Sequence, residues 1–168
     1  VGGRLRRFDE ACGIIRSLLG EHRTTLDGKF YQLKDAPMEP KPPNGKIPIM
    51  IGGGGEKVTL RIVATHADEW NTWANLDTFK HKSGVLDRHC ADQNRDPATI
   101  DRSVAALVHL SDDQKLVRSI RDNPQPRQSI AGNVAQLVDV IGEYAQAGLD
   151  ELIVPDFHLP QGCTQSKL

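Results

Sequence analysis

The regular exchange of short apolar runs with amphipathic helical stretches constrains this chain more than any other feature. Ile47-Pro48-Ile49-Met50-Ile51 is a continuous apolar run, the pattern of a strand buried on both faces, with Pro48 tolerated near its start. Gly52, Gly53, Gly54 and Gly55 end it, and a helix is predicted from about Glu56 to His66, with Val58, Ile62 and Thr65 along it. Ala67-Asp68-Glu69-Trp70-Asn71 reads as the strand that returns. Asp77 as N-cap then opens a helix marked by Phe79, Val85, Leu86 and His89-Cys90, followed by an Asp96-Pro97 turn and a strand from Val104 to Leu110. After a polar stretch with Pro124 and Pro126, a third helix carries Val134, Leu137, Val138, Ile141 and Ala145 and is capped by Gly148. The strand Leu152-Ile153-Val154 follows, stopped by Pro155. Strands alternating with helices lie parallel with right-handed crossovers, so the class is α/β. Periodicity alone does not choose between a doubly wound sheet and a segment of a barrel.

Upstream, Leu5, Phe8, Cys12, Ile15 and Leu19 step by three and four, an amphipathic helix with Gly20 at its end. Thr24-Thr25-Leu26 and Lys29 to Leu33 flank Asp27-Gly28, a pair suited to a two-residue type I′ hairpin turn. Pro37, Pro40, Pro42, Pro43 and Pro48 make the next stretch a connector. The expected organisation is one domain over 1–168, with helix, hairpin and connector in 1–46, βα units in 47–156 and a tail in 157–168.

Lys plus Arg number 21 against 22 Asp plus Glu. That balance supplies no field for nucleic acid and no basic face for anionic lipid. Cys12, Cys90 and Cys163 are widely spaced and form no C-x-x-C pair, so neither a disulfide framework nor a zinc site is indicated, and a cytoplasmic setting is expected. No apolar run approaches the roughly 20 residues that span a bilayer, and the first residues do not read as a signal peptide. The sequence starts at Val1 and its only methionines are Met38 and Met50, the expectation for a fragment.

The chemistry concentrates in the glycine run. A buried strand that ends in side-chain-free backbone and opens a helix lets main-chain N–H groups approach an anion, most commonly a phosphate. The segment lacks the Gly-Lys-Ser/Thr ending of a Walker loop and the third glycine of G-x-G-x-x-G. Two readings stand on this physics, a phosphate cradle or a plain tight turn, and Glu56 favours the turn if its charge satisfies the helix terminus itself.

Ile47-Pro48-Ile49-Met50-Ile51-Gly52-Gly53-Gly54-Gly55, followed after a helix by Ala67-Asp68-Glu69-Trp70-Asn71, resembles the "P-I-W-I-G-G-G-G … A-D-G-W-N" signature of the luciferase-like monooxygenase family, the coenzyme F-420- or FMN-dependent oxidoreductases. Supporting segments include Arg7-Phe8-Asp9-Glu10, Leu26 to Tyr31, Glu39 to Pro42, Arg95 to Ile100 and Ala147 to Val154. Glu69 departs from the pattern, standing where the signature has glycine. The resemblance implies that the chain is the C-terminal half, about four βα units, of a (β/α)₈ TIM barrel, whose glycine loop sits at the face where such barrels place their sites. It also implies that Gly52, Gly53, Gly54 and Gly55 hold the phosphate of coenzyme F-420 or FMN, and that Asn71, Thr72 and Trp73 lie near the ring or a small-molecule substrate. Trp70 and Trp73 read equally as barrel packing. The family's first four strands have no counterpart here, so no catalytic residue carries over.

Other chemistries find less support. His81, His89 and Cys90 fit no compact zinc pattern and read as helix packing, while His66 and Asp68 fall at a helix-to-strand junction, where a solvated histidine is expected. No Ser or Cys sits in a nucleophile elbow. Two function classes remain: a hydride-transferring oxidoreductase domain, incomplete as this chain, and a non-catalytic half-barrel or binding module. Four barrel strands leave two sheet edges and an apolar interior face open, so a homodimer or higher oligomer is expected. Ser166-Lys167-Leu168 matches a peroxisomal address and reads as coincidence in a family known mainly from bacteria and archaea.

Overall fold

In the computed structural model of the chain, residues 2–122 and 128–155 are described. The Pro124-Pro126 stretch, Cys163 and the terminal Ser-Lys-Leu lie outside them. Helix α1 (Gly2–Gly20) buries only Cys12 among its described side chains, and Phe8 and Ile15 are 38% and 48% exposed. Polar contacts dock it instead. Arg16 donates to the His66 carbonyl and pairs with Asp68 at 2.7 Å, while Asp9 holds His66 Nε2 at 2.9 Å. His66 is therefore not solvated as expected: its side chain is 15% exposed and bound to α1.

Strands β1 (Thr24–Asp27) and β2 (Gln32–Ala36) pair antiparallel with Asp27 opposite Gln32. The hairpin loop is thus Gly28 to Tyr31, four residues rather than the two-residue turn expected of Asp27-Gly28. The cause is Glu10 on α1, whose carboxylate accepts from the N–H groups of Phe30 and Tyr31 and holds the wider loop open. The proline-rich connector carries no helix or strand.

Next come β3 (Met50–Gly52), α2 (Thr59–His66), β4 (Glu69–Thr72), α3 (Leu76–Asp92), β5 (Asp101–Ala105), β6 (Leu107–Leu110), α4 (Gln114–Asp122), β7 (Ser129–Gly132), α5 (Val134–Gln146) and β8 (Glu151–Ile153). A parallel sheet in the order β3-β4-β5-β8 confirms the α/β class. The run Val104 to Leu110, expected as one strand, breaks at Ala106, whose N–H goes to Ile153 while the N–H of Leu107 goes to Gln128. β6 leaves the sheet there and pairs with β7, in a stretch where the sequence predicts no strand.

Register fixes the two faces. Ile51, Trp70 and Arg102 align on one, beside Thr72, Val104 and Leu152, and this face meets the helices. Trp70, Leu60, Ile62, Val63, Phe79 and Leu86 are fully buried between sheet and helices, each apolar side chain worth about 1.5–3 kcal/mol by burial. Trp70 stacks on Phe79 with centroids 6.1 Å apart, and Tyr144 of α5 closes the cluster. The other face aligns Met50 with Glu69 and Asp101, and Gly52 with Asn71, Ser103 and Glu151. It is mixed, not the apolar surface expected. Ile47 and Met50 are each 49% exposed, so β3 is not buried on both sides; it is an edge strand of the sheet.

Helix α5 has two apolar stripes. Leu137 and Tyr144 turn inward, with Val140 packed against them, whereas Val134, Val138 and Ile141 of the expected stripe point out. Its N-terminus carries a capping box of Asn133 and Gln136, and Gly148 follows with positive φ, as read from the sequence.

Candidate functional site

A cleft of about 450 Å³ opens at the C-terminal ends of β3 and β4, lined by Gly52, Gly53, Gly54, Asn71, Thr72, Trp73 and Lys82. The two groups singled out in the sequence, the glycine run and the residues just past the next strand, meet here because parallel neighbours end at the same rim. Gly55 borders the cleft without lining it.

The run is polarised. The N–H of Gly53 donates to the Asn71 carbonyl at 2.9 Å and continues the sheet by one residue. Three consecutive carbonyls are then turned into the protein: Gly53 accepts from Trp70 Nε1 at 2.7 Å, Gly54 from Lys82 Nζ at 2.5 Å, and Gly55 from the N–H of Leu60 at 3.0 Å. The N–H groups of Gly54 and Gly55 meet no acceptor among the described residues. The main chain thus hides its acceptors and leaves donors, which is the electrostatics an anion needs. Gly53 has φ +132°, a conformation that L side chains rarely adopt. A Cβ on Gly54 would come within 3.2 Å of the Lys82 side chain and fill the cradle.

Lys82 was not singled out in the sequence. It is the charged side chain among the lining residues, only 18% exposed, and reaches across from α3. A signal was available: the lysine interrupts the stripe of Phe79, Val85 and Leu86. Asn75, rather than the expected Asp77, caps α3 by accepting from the N–H of Thr78, which starts the helix one residue before Asp77.

Glu56 does not compete for the site. Helix α2 starts at Thr59, three residues beyond Glu56, and the Glu56 carboxylate turns to α3, 3.3 Å from Lys82 Nζ and 3.2 Å from His81 Nε2. The hydrogen bond from Lys82, then that from His81, hold its carboxyl below the usual range against a small opposing effect of burial. His89, expected in the packed stripe with Cys90, is only half-buried and donates to the Glu56 carbonyl at 2.7 Å, whereas Cys90 is fully buried. His81 also lies at the surface, its side chain 61% exposed.

On the floor, Thr72 is buried, and Asn71 donates from Nδ2 to Ser103 Oγ at 3.0 Å. The two tryptophans divide: Trp70 is core, and Trp73 stands 39% exposed on the cleft wall. At the opposite end of the sheet, Asp68 pairs with Arg16 and with Lys46, each at 2.7 Å, and accepts from the Ile49 N–H at 2.9 Å. Burial pushes its carboxyl up, but Lys46, Ile49 and Arg16 outweigh this and hold it below the ordinary value. This is an anchor, remote from the cleft.

Comparison with known proteins places these features. Residues 2–124 match the family model described as luciferase-like monooxygenase. An F420-dependent glucose-6-phosphate dehydrogenase of Microbacterium testaceum is 35% identical over 83 residues, 49% of this chain and 24% of that enzyme. Among solved structures, an F420-dependent secondary alcohol dehydrogenase superposes with TM-score 0.74 at 17% identity, over 92% of this chain and 56% of its own. The coenzyme F420 dependent tetrahydromethanopterin reductase of Methanopyrus kandleri gives 0.73 at 16% identity, over 88% and 56%. The chain spans about a quarter of the curated relative's length and just over half of each solved one.

Proposed function

The chain belongs to the luciferase-like monooxygenase family, and from that premise we propose that Gly52, Gly53, Gly54 and Gly55 seat the phosphate of coenzyme F-420 or FMN in an oxidoreductase that transfers hydride to or from a small-molecule substrate. One observation carries the reading: the loop turns three carbonyls inward, leaves the Gly54 and Gly55 N–H groups without acceptors among the described residues, and has the Lys82 ammonium beside it. The residues fit the group, since a side chain on Gly54 would occupy the space a phosphate needs. Either cofactor, when bound, supplies the ring that carries the hydride.

The chain's own contribution is binding and orientation. Main-chain donors and Lys82 neutralise the phosphate, Trp73 offers an aromatic wall, and Asn71 and Thr72 supply polar contacts on the floor beside the ring or substrate. The family structures have about as much chain again, which on this reading contributes the groups at the reacting carbon.

We place the working protein in the cytoplasm as a homodimer or higher oligomer. Support comes from the free, buried Cys12 and Cys90, from the sheet edges β3 and β8, and from the outward Val134, Val138 and Ile141. No described helix is long and apolar enough to cross a membrane.

Fluorescence titration with coenzyme F-420 and with FMN tests the cofactor assignment. Gly54→Asp, which puts a carboxylate and its bulk into the cradle, is expected to weaken both by at least roughly a hundredfold. Unchanged affinity in that variant locates the phosphate elsewhere.

A further inference from the structure

The residue that departs from the family signature, Glu69, is the start of a hydrogen-bond relay into the cleft. Ser103 of β5 is fully buried, and its Oγ lies 2.6 Å from Glu69 Oε1 and 3.0 Å from Asn71 Nδ2. A carboxylate only accepts and a hydroxyl has a single hydrogen, so Ser103 donates to Glu69. With that hydrogen spent, Oγ can only accept from Asn71, which sets the carboxamide with Nδ2 inward. Oδ1, which accepts from no described residue, is the side-chain polar atom that Asn71 offers to the cleft.

We infer that Asn71 is a specificity-determining acceptor, with Glu69 and Ser103 as its positioning residues, and that it takes a hydrogen bond from a hydroxyl on the carbon chain next to the bound phosphate. Proximity selects that part of the ligand. The Asn71 carbonyl is bonded directly to Gly53, so its side chain stands beside the phosphate cradle. An acceptor in that position repels a bare phosphate oxygen and favours an O–H donor one or two bonds farther along the chain. Ribityl phosphates, the side chain common to FMN and coenzyme F-420, present such hydroxyls. The inference rests on the cofactor assignment proposed above and adds the polarity of one contact, set by a residue where the family signature has glycine.

Glu69→Gln is the discriminating variant. A carboxamide can donate to Ser103 Oγ, whose hydrogen then turns to Asn71 and reverses its amide, so that Nδ2 instead of Oδ1 faces the cleft. Ser103→Ala removes the relay altogether.

The test combines side-chain amide exchange by NMR with titrations of FMN, coenzyme F-420 and inorganic phosphate on the same 168-residue chain. In the unsubstituted chain the Asn71 Nδ2 protons are expected to show slow exchange and proximity to Ser103, and both are lost in Ser103→Ala. Glu69→Gln and Ser103→Ala are expected to weaken FMN and F-420 by roughly three- to tenfold, the scale of one hydrogen bond, with phosphate affinity changed less than twofold. Equal weakening of all three ligands, or unchanged cofactor affinity in both variants, overturns the inference. Fast-exchanging Asn71 amide protons in the unsubstituted chain overturn it as well. If that chain binds phosphate but neither cofactor, the cofactor assignment falls and takes the hydroxyl contact with it, while the exchange data still decide the relay.

Discussion

Gly53→Ala is the sharpest test of the loop, because the structure supplies both the cost and its control. At φ +132° an L residue sits in sparsely populated backbone space, a strain of order 1–3 kcal/mol. The new Cβ would also lie 3.2 Å from Thr59 Cγ2, tighter than ordinary packing. Against this, alanine lowers the entropy of the unfolded chain, which returns about 0.4–1 kcal/mol. The expected net loss is about 1–2 kcal/mol, or a Tm lower by about 2–8 °C for a domain of this size. Gly45→Ala is the control: φ there is +71°, within the left-handed region, and a Cβ meets nothing within 4 Å. Its strain is nearly offset by the same entropy gain, so it should cost less than about half as much. Thermal melts followed by tryptophan fluorescence suit the question, since the Trp70 indole donates to the Gly53 carbonyl and reports on that bond. Equal Tm values for the two variants would refute the reasoning, because the loop would then tolerate a side chain at Gly53 by adopting another path.

Lys82→Met should weaken binding of phosphate-bearing cofactor roughly tenfold or more, read by the titrations above, because it removes the cleft's cation. Glu56, with its carboxyl lowered by Lys82 and His81, contributes stability that is present above the unfolded carboxylate pKa and lost as pH falls through the lower folded value. The stability difference between the unsubstituted chain and Glu56→Gln, followed by denaturant melts across acidic pH, should therefore shrink toward zero as the pH drops. Asp68→Asn should cost about 1–3 kcal/mol in the same melts at neutral pH, since Arg16 and Lys46 lose their shared carboxylate, and leave cofactor affinity within twofold. Tyr144→Phe should cost about 1 kcal/mol by losing the bond to the Ala74 carbonyl. Burial, and secondarily Asp77, push the Tyr144 hydroxyl up to about 12. Its contribution is complete below the unfolded pKa of about 10 and is lost as pH rises through the folded one, a difference visible in alkaline melts of the two proteins.

What the sequence disclosed was chemistry that neighbouring residues settle among themselves. An apolar run, four glycines and a returning strand sufficed to bring Gly52 and Asn71 to one rim, and Gly148 marked the end of α5. What it withheld depends on distant partners. Residues 56–58 read as helix, yet α3 pulls Glu56 aside and α2 starts later. Asp27-Gly28 reads as a tight turn until Glu10, far upstream, reaches the amides beyond it. Val104 to Val108 is unbroken in hydropathy, and only the diverging partners of Ala106 and Leu107 split it. Helix α5 carries apolar residues on two sides, and only the sheet decides which one is covered. Lys82 was visible as a charge within an apolar stripe, but its meaning required the glycine loop beside it.

The docking contacts of α1 and Asp68 at one rim, and a cleft made largely of main chain at the other, have a consequence for inheritance. A cradle of peptide N–H groups needs no particular side chain of its own, only glycines that leave it empty and the Trp70 and Lys82 donors that turn its carbonyls away. Side chains at Asn71, Thr72 and Trp73 can then vary around the loop while the lower rim keeps the chain folded. Ancestry should accordingly be most durable in Gly53 and Gly54, and individuality most evident at positions like Glu69.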